Sequence, residues 1–246
     1  MKKLLLYILL QFFFCNCSQR KNIIIIISAN TEWVSAKNIL QIKTDTLQYS
    51  PYGEFFSVDN FFSLSKQNVF FFHGGWGKID SAASTQWVIS NLNPKYIINI
   101  GTAGGFDKRV KLFDVVLAKT TFVYDIIEKI DNAQSAIDNY KTEIQIDPSI
   151  KFPKDIVLSN IISADQDLDP SKINKLSKSY NASAADWESA SIARICHKNN
   201  IQVIILRGIS DIVTSNGSIV YKNQKLFEKN SNIIMKKTLE ITKNLF

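Results

Sequence analysis

The chain has 246 residues, 46% of them hydrophobic and 21% charged, with a formal net charge of +7. That length fits one α/β domain with a sizeable core, and the composition excludes a disordered chain. The lysines are spread rather than clustered, so the charge reads as solubility and not as a nucleic-acid footprint, and three cysteines with two histidines supply neither a disulfide framework nor metal-ligand spacing.

Met1-Lys2-Lys3 and the mostly apolar residues 4–14 are shorter than the about 20 residues a membrane-spanning helix needs, and suit a signal-peptide core. Phe14-Cys15-Asn16-Cys17-Ser18 follows and is similar to a loose bacterial lipoprotein box, with Asn16 in place of the usual small residue. We therefore divide the chain into a leader, residues 1–20, and a domain, residues 21–246. The expected location is exported, either lipid-anchored at a membrane through Cys17 or periplasmic. The alternative is a cytoplasmic enzyme with an uncleaved apolar extension.

Residues 23–27 are a β-branched run of the kind found in strands buried on both faces. Ser28 or Asn30 is placed to cap the helix that follows, and Glu32 stands in that helix's first turn. Residues 44–62 read as polar-aromatic and irregular, with a turn at Pro51-Tyr52-Gly53-Glu54. Residues 69–72 form a strand ending in His73-Gly74-Gly75-Trp76-Gly77-Lys78, which lacks a full phosphate-loop pattern, and a helix over 79–92 follows. His73 reads as a packed strand-end residue. Residues 94–100 form a strand that ends in Gly101-Thr102-Ala103-Gly104-Gly105-Phe106, small residues that let a ligand approach the backbone.

Downstream, residues 112–122 read as a strand pair and 125–147 as a loop-rich excursion. Residues 154–158 and 161–165 read as two further strands, and 170–180 as a short amphipathic helix. Residues 185–199 read as a helix that opens with Asp186-Trp187-Glu188, 201–206 as a strand, and 227–245 as a closing amphipathic helix. Alternating strands and helices imply a three-layer α/β/α single domain around a mostly parallel or mixed sheet. Ser210-Asp211 follows a buried strand, at the edge where open α/β sheets bind ligands.

Four landmarks in order carry a family resemblance: Ser28 to Glu32, Gly75-Trp76-Gly77-Lys78, Ile100-Gly101-Thr102-Ala103-Gly104-Gly105, and Glu188 followed 23 residues later by Asp211 within Arg207-x-x-Ser210-Asp211. With them the chain from Ile24 onward resembles the purine nucleoside phosphorylase superfamily, and within it the 5′-methylthioadenosine/S-adenosylhomocysteine nucleosidases. The resemblance implies an N-glycosyl hydrolase that releases the base of a purine nucleoside, works without a cofactor or metal, has no nucleic-acid partner and forms a homodimer. It implies Asp211 as the acid that protonates the leaving base, Glu188 as the holder of the ribose hydroxyls and Glu32 as the activator of water. Thr102, Ala103, Gly104, Trp187, Ser210 and Arg207 are then substrate-binding. Asp186 is expected only to cap the helix.

Two departures stand out. No aromatic occupies Asp165-Gln166-Asp167-Leu168, where the family stacks on adenine, so Trp187 or Phe106 is expected to supply that platform. Residues 44–62 match no landmark and are expected to cover the 5′-substituent, either in their own chain or from a partner subunit. The alternatives to hydrolysis are a phosphate-dependent phosphorylase, with Arg109 and Arg207 as its plausible clamps, and a non-catalytic anchored protein that binds polyanions. The loop from Ser28 to Glu32 opposes the first, because it lacks arginine and carries a carboxylate that repels phosphate.

Overall fold

A computed structural model describes residues 22–63 and 67–246. The leader, with Cys15, Cys17 and Arg20, lies outside the described residues. The first half of the domain runs β1 (Asn22–Ile27), α1 (Asn30–Ile39), β2 (Gln48–Ser50), β3 (Gly53–Val58), β4 (Val69–His73), α2 (Gly77–Leu92) and β5 (Pro94–Phe106). The second half runs β6 (Val115–Val123), α3 (Ala133–Tyr140), β7 (Thr142–Glu143), β8 (Val157–Ser163), α4 (Ile173–Tyr180), β9 (Ala182–Asp186), α5 (Ser189–Lys198), β10 (Gln202–Val213) and α6 (Gln224–Lys243).

β1 shows why the sheet is covered on both faces. Successive side chains of a strand point to opposite sides. Ile23, Ile25 and Ile27 accordingly pack with Trp33 of α1 and with Met235 and Leu239 of α6. Ile24 and Ile26 pack with Val88 of α2 and with Ile192 and Cys196 of α5. All five isoleucines are fully buried. The expected three layers are present, and the sheet between them is mixed: β1 pairs in parallel with β4 and β5, while β3 runs antiparallel to β4.

The sheet order is β10-β6-β8-β9-β5-β1-β4-β3-β2, and β10 also pairs with β5. Strands β5, β10, β6, β8 and β9 therefore close on themselves, and β1, β4, β3 and β2 extend the sheet outward from β5. The long strands β5 and β10 carry both parts. The first half of β5 lies between β1 and β10, and Gly104 and Gly105 near its end reach β9. Facing Gly104, β10 bulges between Ile209 and Asp211, so that Ser210 is the extra residue. Such bulges re-aim a side chain, and this one turns Asp211 into the cavity described below.

Several expectations change. The glycine run 101–105 lies inside β5, and Asp211 lies inside β10 rather than after it. Residues 112–122 supply one strand, β6, instead of a pair, and residues 154–165 likewise supply only β8. The stretch expected as a helix from residue 185 begins as the strand β9, and α5 starts only at Ser189. Alanines favour helices in isolation, but here tertiary packing overrides that preference: Ala182, Ala184 and Ala185 are buried in a strand whose small side chains let neighbours close in. Neither Ser28 nor Asn30 caps α1, whose N-cap is Ala29. Residues 44–62 are not irregular. They fold into the hairpin β2–β3, seated by Phe56 stacked on Phe71 with centroids 5.2 Å apart.

Candidate active site

A cavity of about 670 Å³ opens where the ends of β1, β5, β9 and β10 meet, a size ordinary for a small-molecule site. Of the residues expected there, Glu32, Thr102, Ala103, Gly104, Trp187, Glu188, Ser210 and Asp211 all line it.

Glu32 comes from the first turn of α1 and is buried. Its Oε1 accepts hydrogen bonds from the Thr102 N–H at 2.6 Å and the Thr102 hydroxyl at 2.7 Å. Its Oε2 has no hydrogen-bond partner among the described residues. Burial pushes its carboxyl above the usual range, opposed by the Arg207 guanidinium and by Thr102. Glu188 ends the turn between β9 and α5. Its Oε1 accepts from the Gly77 N–H at 3.0 Å, and its Oε2 lies 3.6 Å from Arg207 Nη2. Burial pushes this carboxyl up to about 8, Arg207 opposes the shift, and Asp186 and Glu32 add to it.

Arg207, expected among the substrate-binding residues, does not line the cavity. Its side chain is fully buried behind it. Nε lies 2.6 Å from Asp186 Oδ2 and donates to Ser189 Oγ at 2.9 Å, and Nη2 donates to Asn99 Oδ1 at 2.7 Å. A Cβ at Gly101 would meet Arg207 Nη1 at 2.2 Å and Glu32 Oε2 at 2.6 Å, so glycine is required for the guanidinium to reach the carboxylates. One guanidinium thus faces Glu32, Asp186 and Glu188. Burial is the main reason that Glu32 and Glu188 hold protons more tightly than usual, and at Glu188 the nearby carboxylates of Asp186 and Glu32 add to it. Asp186 does accept the Ser189 N–H at the start of α5, but it is also an ion-pair partner of Arg207, which sequence reasoning did not assign to it.

Asp211 stands at the other end of the site. Its Oδ2 accepts from the Ser218 hydroxyl at 2.6 Å and its Oδ1 from the Ser210 hydroxyl at 3.2 Å. Burial raises its carboxyl, the two serines oppose that, and Asp167 adds to it. Ser218, Asp167 and the lining residues Tyr221 and Phe227 were missed from sequence. All lie on loops or at a helix start, where no periodicity marks them.

The expected platforms divide. Phe106 is fully buried in a cluster with Ile162 and Val213 and does not line the cavity. Trp187 lines the cavity and stacks on Trp76, with centroids 5.1 Å apart. Residues 44–62 contribute nothing to the wall. Neither expected phosphate clamp reaches it: Arg109 donates to Ser177 Oγ at 3.1 Å and to Asn181 Oδ1 at 3.2 Å, and Arg207 is enclosed by carboxylates. Among the described residues the cationic side chain on the wall is Lys222.

Comparison with known proteins agrees with this architecture. Residues 24–148 match the phosphorylase superfamily. A 5′-methylthioadenosine/S-adenosylhomocysteine nucleosidase of Buchnera aphidicola is 28% identical over 171 residues, covering 65% of this chain and 74% of that protein. The structure of Arabidopsis thaliana 5′-methylthioadenosine nucleosidase superposes with a TM-score of 0.74 at 16% identity, covering 90% of this chain and 94% of the other. A 5′-methylthioadenosine/S-adenosylhomocysteine nucleosidase from Colwellia psychrerythraea, in complex with adenine, gives a TM-score of 0.70 at 19% identity, with 92% of this chain and 94% of the other covered.

Proposed function

The chain belongs to the phosphorylase superfamily, and on that premise we propose that it is an N-glycosyl hydrolase that releases the base from a purine nucleoside such as 5′-methylthioadenosine or S-adenosylhomocysteine. The observation that carries this reading is the convergence of Glu32, Glu188 and Asp211 on one cavity whose arginine is withdrawn behind the wall.

Each carboxylate has a distinct task. When the bond between ribose C1′ and the base nitrogen breaks, its electron pair leaves with the base, and the sugar becomes oxocarbenium-like. A buried carboxyl with a raised pKa still holds its proton near neutral pH. Asp211 fits that role and delivers its proton to N7 of the departing purine. Glu188 accepts hydrogen bonds from the ribose hydroxyls. Those donors favour its ionised form over the protonated form that burial imposes, and its charge favours the developing cation. Glu32, with Oε1 held by Thr102 and with the Arg207 guanidinium favouring its ionised form against burial, is the base that takes a proton from water. The water oxygen adds to C1′, its proton passes to Glu32, and exchange with solvent returns a proton to Asp211.

Phosphorolysis needs a bound phosphate in the place of that water. Glu32 and the absence of an arginine on the described wall both oppose it, because a dianion is repelled by carboxylates that outnumber the one guanidinium behind them. The same acidic wall opposes a polyanion-binding role. Spectrophotometry of adenine release from 5′-methylthioadenosine tests the reading: turnover in phosphate-free buffer, undiminished by phosphate removal, is expected. Strict phosphate dependence would favour a phosphorylase, and inertness towards every purine nucleoside would remove the enzymatic reading.

A further inference from the structure

Three consecutive residues, Trp76-Gly77-Lys78, stand at the start of α2, and each fastens to a different part of the site. The first amides of a helix have no acceptor within it. The N-cap of α2 is Trp76, whose indole is a donor only, so the next two amides find acceptors elsewhere in the chain. Gly77 N–H donates to Glu188 Oε1 at 3.0 Å, and Lys78 N–H donates to Asp165 Oδ1 at 2.8 Å. Trp76 itself stacks on Trp187, the residue before Glu188.

Lys78 is the member of this turn that the chemistry above leaves unused. Its ammonium pairs with Asp125, just after β6, and lies 3.6 Å from Asp165 Oδ2, just after β8. The two acids are joined in turn, because Asp165 N–H donates to Asp125 Oδ2 at 3.1 Å. The side chains of Lys78 and Asp125 are each 21% exposed, so salt screens the pair less than it would a surface one. Backbone and side chain of one lysine thus tie the start of α2 to the ends of two strands. Gly77 lies tightly against the same acid: at its φ of +83°, a Cβ would meet Asp165 Oδ1 at 2.9 Å.

Glu188 depends on that fixed donor. It accepts from ribose hydroxyls as a carboxylate, yet burial favours its protonated form, as do Asp186 of β9 and Glu32 of α1. Arg207 of β10 and the Gly77 N–H favour the ionised form. Arg207 lies 3.6 Å from Oε2 and is shared with Asp186, whereas the Gly77 N–H meets Oε1 at hydrogen-bond distance. We infer that Lys78 is a positioning residue for Glu188: its contacts with Asp125 and Asp165 hold the Gly77 N–H on the carboxylate that takes the ribose hydroxyls. The task of Glu188 in this inference rests on the nucleosidase reading, and its anchoring rests on the geometry of the turn.

The test follows the Gly77 amide shift against pH in the whole protein labelled with ¹⁵N-glycine. The midpoint in the unaltered protein is expected at about 8, and the titration should vanish in Glu188→Gln. Lys78→Met should move the midpoint up by about one unit, a ten-fold weaker ionisation. Lys78→Arg keeps the charge for both acids and should restore most of it. Asp125→Asn separates positioning from charge. Loss of a negative charge alone lowers the midpoint, whereas a turn released from its anchor raises it. The acid limb of kcat/KM for 5′-methylthioadenosine should move with the midpoint in each variant. A rise in both Lys78→Met and Asp125→Asn supports the inference. No rise in either one, or a titration that survives in Glu188→Gln, overturns it. If Lys78→Met does not fold, the sign of the shift in Asp125→Asn decides alone. A protein that turns over no purine nucleoside removes the nucleosidase reading, and the amide titration still decides the anchoring.

Discussion

In the proposed reaction Asp211 carries a proton at the moment the base leaves, and its surroundings act on that proton in opposite directions. Burial and Asp167 hold it on, while the hydroxyls of Ser210 and Ser218 favour its loss. Ser218 is not free to turn away, because its oxygen accepts the Val220 N–H at 3.2 Å while its hydrogen points at Asp211. Asp211→Asn keeps the shape and removes the acid, so kcat should fall by about 10²–10⁴-fold with the thermal transition unaltered. Near-normal turnover would contradict the assignment. Ser218→Ala removes a donor to the carboxylate, so the acid's pKa should rise further. The alkaline limb of the kcat/KM profile reports the free enzyme's acid and should therefore move to higher pH. A limb that stays in place or moves down would show that Ser218 does not tune the acid.

At the scale of elements, helix α6 closes directly on β10 because position 208 has no side chain. A Cβ there would meet Ile234 Cγ2 at 2.2 Å and Cδ1 at 2.6 Å. Gly208→Ala should overpack this contact and cost about 1–3 kcal/mol, seen as a lowered Tm; an unchanged Tm would mean that the helix yields freely. Elements with a clear apolar signature were legible from sequence, as with the unbroken run of five isoleucines in β1, which reaches two separate cores. Elements written in small residues were not. The glycines of β5 and the alanines of β9 resemble a loop and a helix locally, yet both are strand: they pair with β10 and β8, and the space a Cβ would fill at Gly101 and Gly105 is taken by the side chains of Arg207, Glu32, Ile209 and Val110. Glu32, Glu188 and Asp211 could be picked out from their places in the landmark order. The Arg207 cluster could not, since Asp186 and Asn99 meet it only through the closure of β5, β9 and β10. Ser218 likewise reaches Asp211 across a loop, which leaves no local pattern to read.

Over the whole molecule, the closed part of the sheet gathers carboxylates from distant parts of the chain around one cavity, and its buried arginine serves them rather than a phosphate. This arrangement distinguishes attack by water from attack by phosphate, and the identity of the oxygen that ends on C1′ reports which occurs. Turnover of 5′-methylthioadenosine in ¹⁸O-labelled water containing unlabelled phosphate, followed by mass spectrometry of the sugar product, reads it directly. A free methylthioribose carrying the heavy oxygen at C1′, formed at the same rate with and without phosphate, is the predicted result. An unlabelled sugar 1-phosphate would contradict the account at its centre.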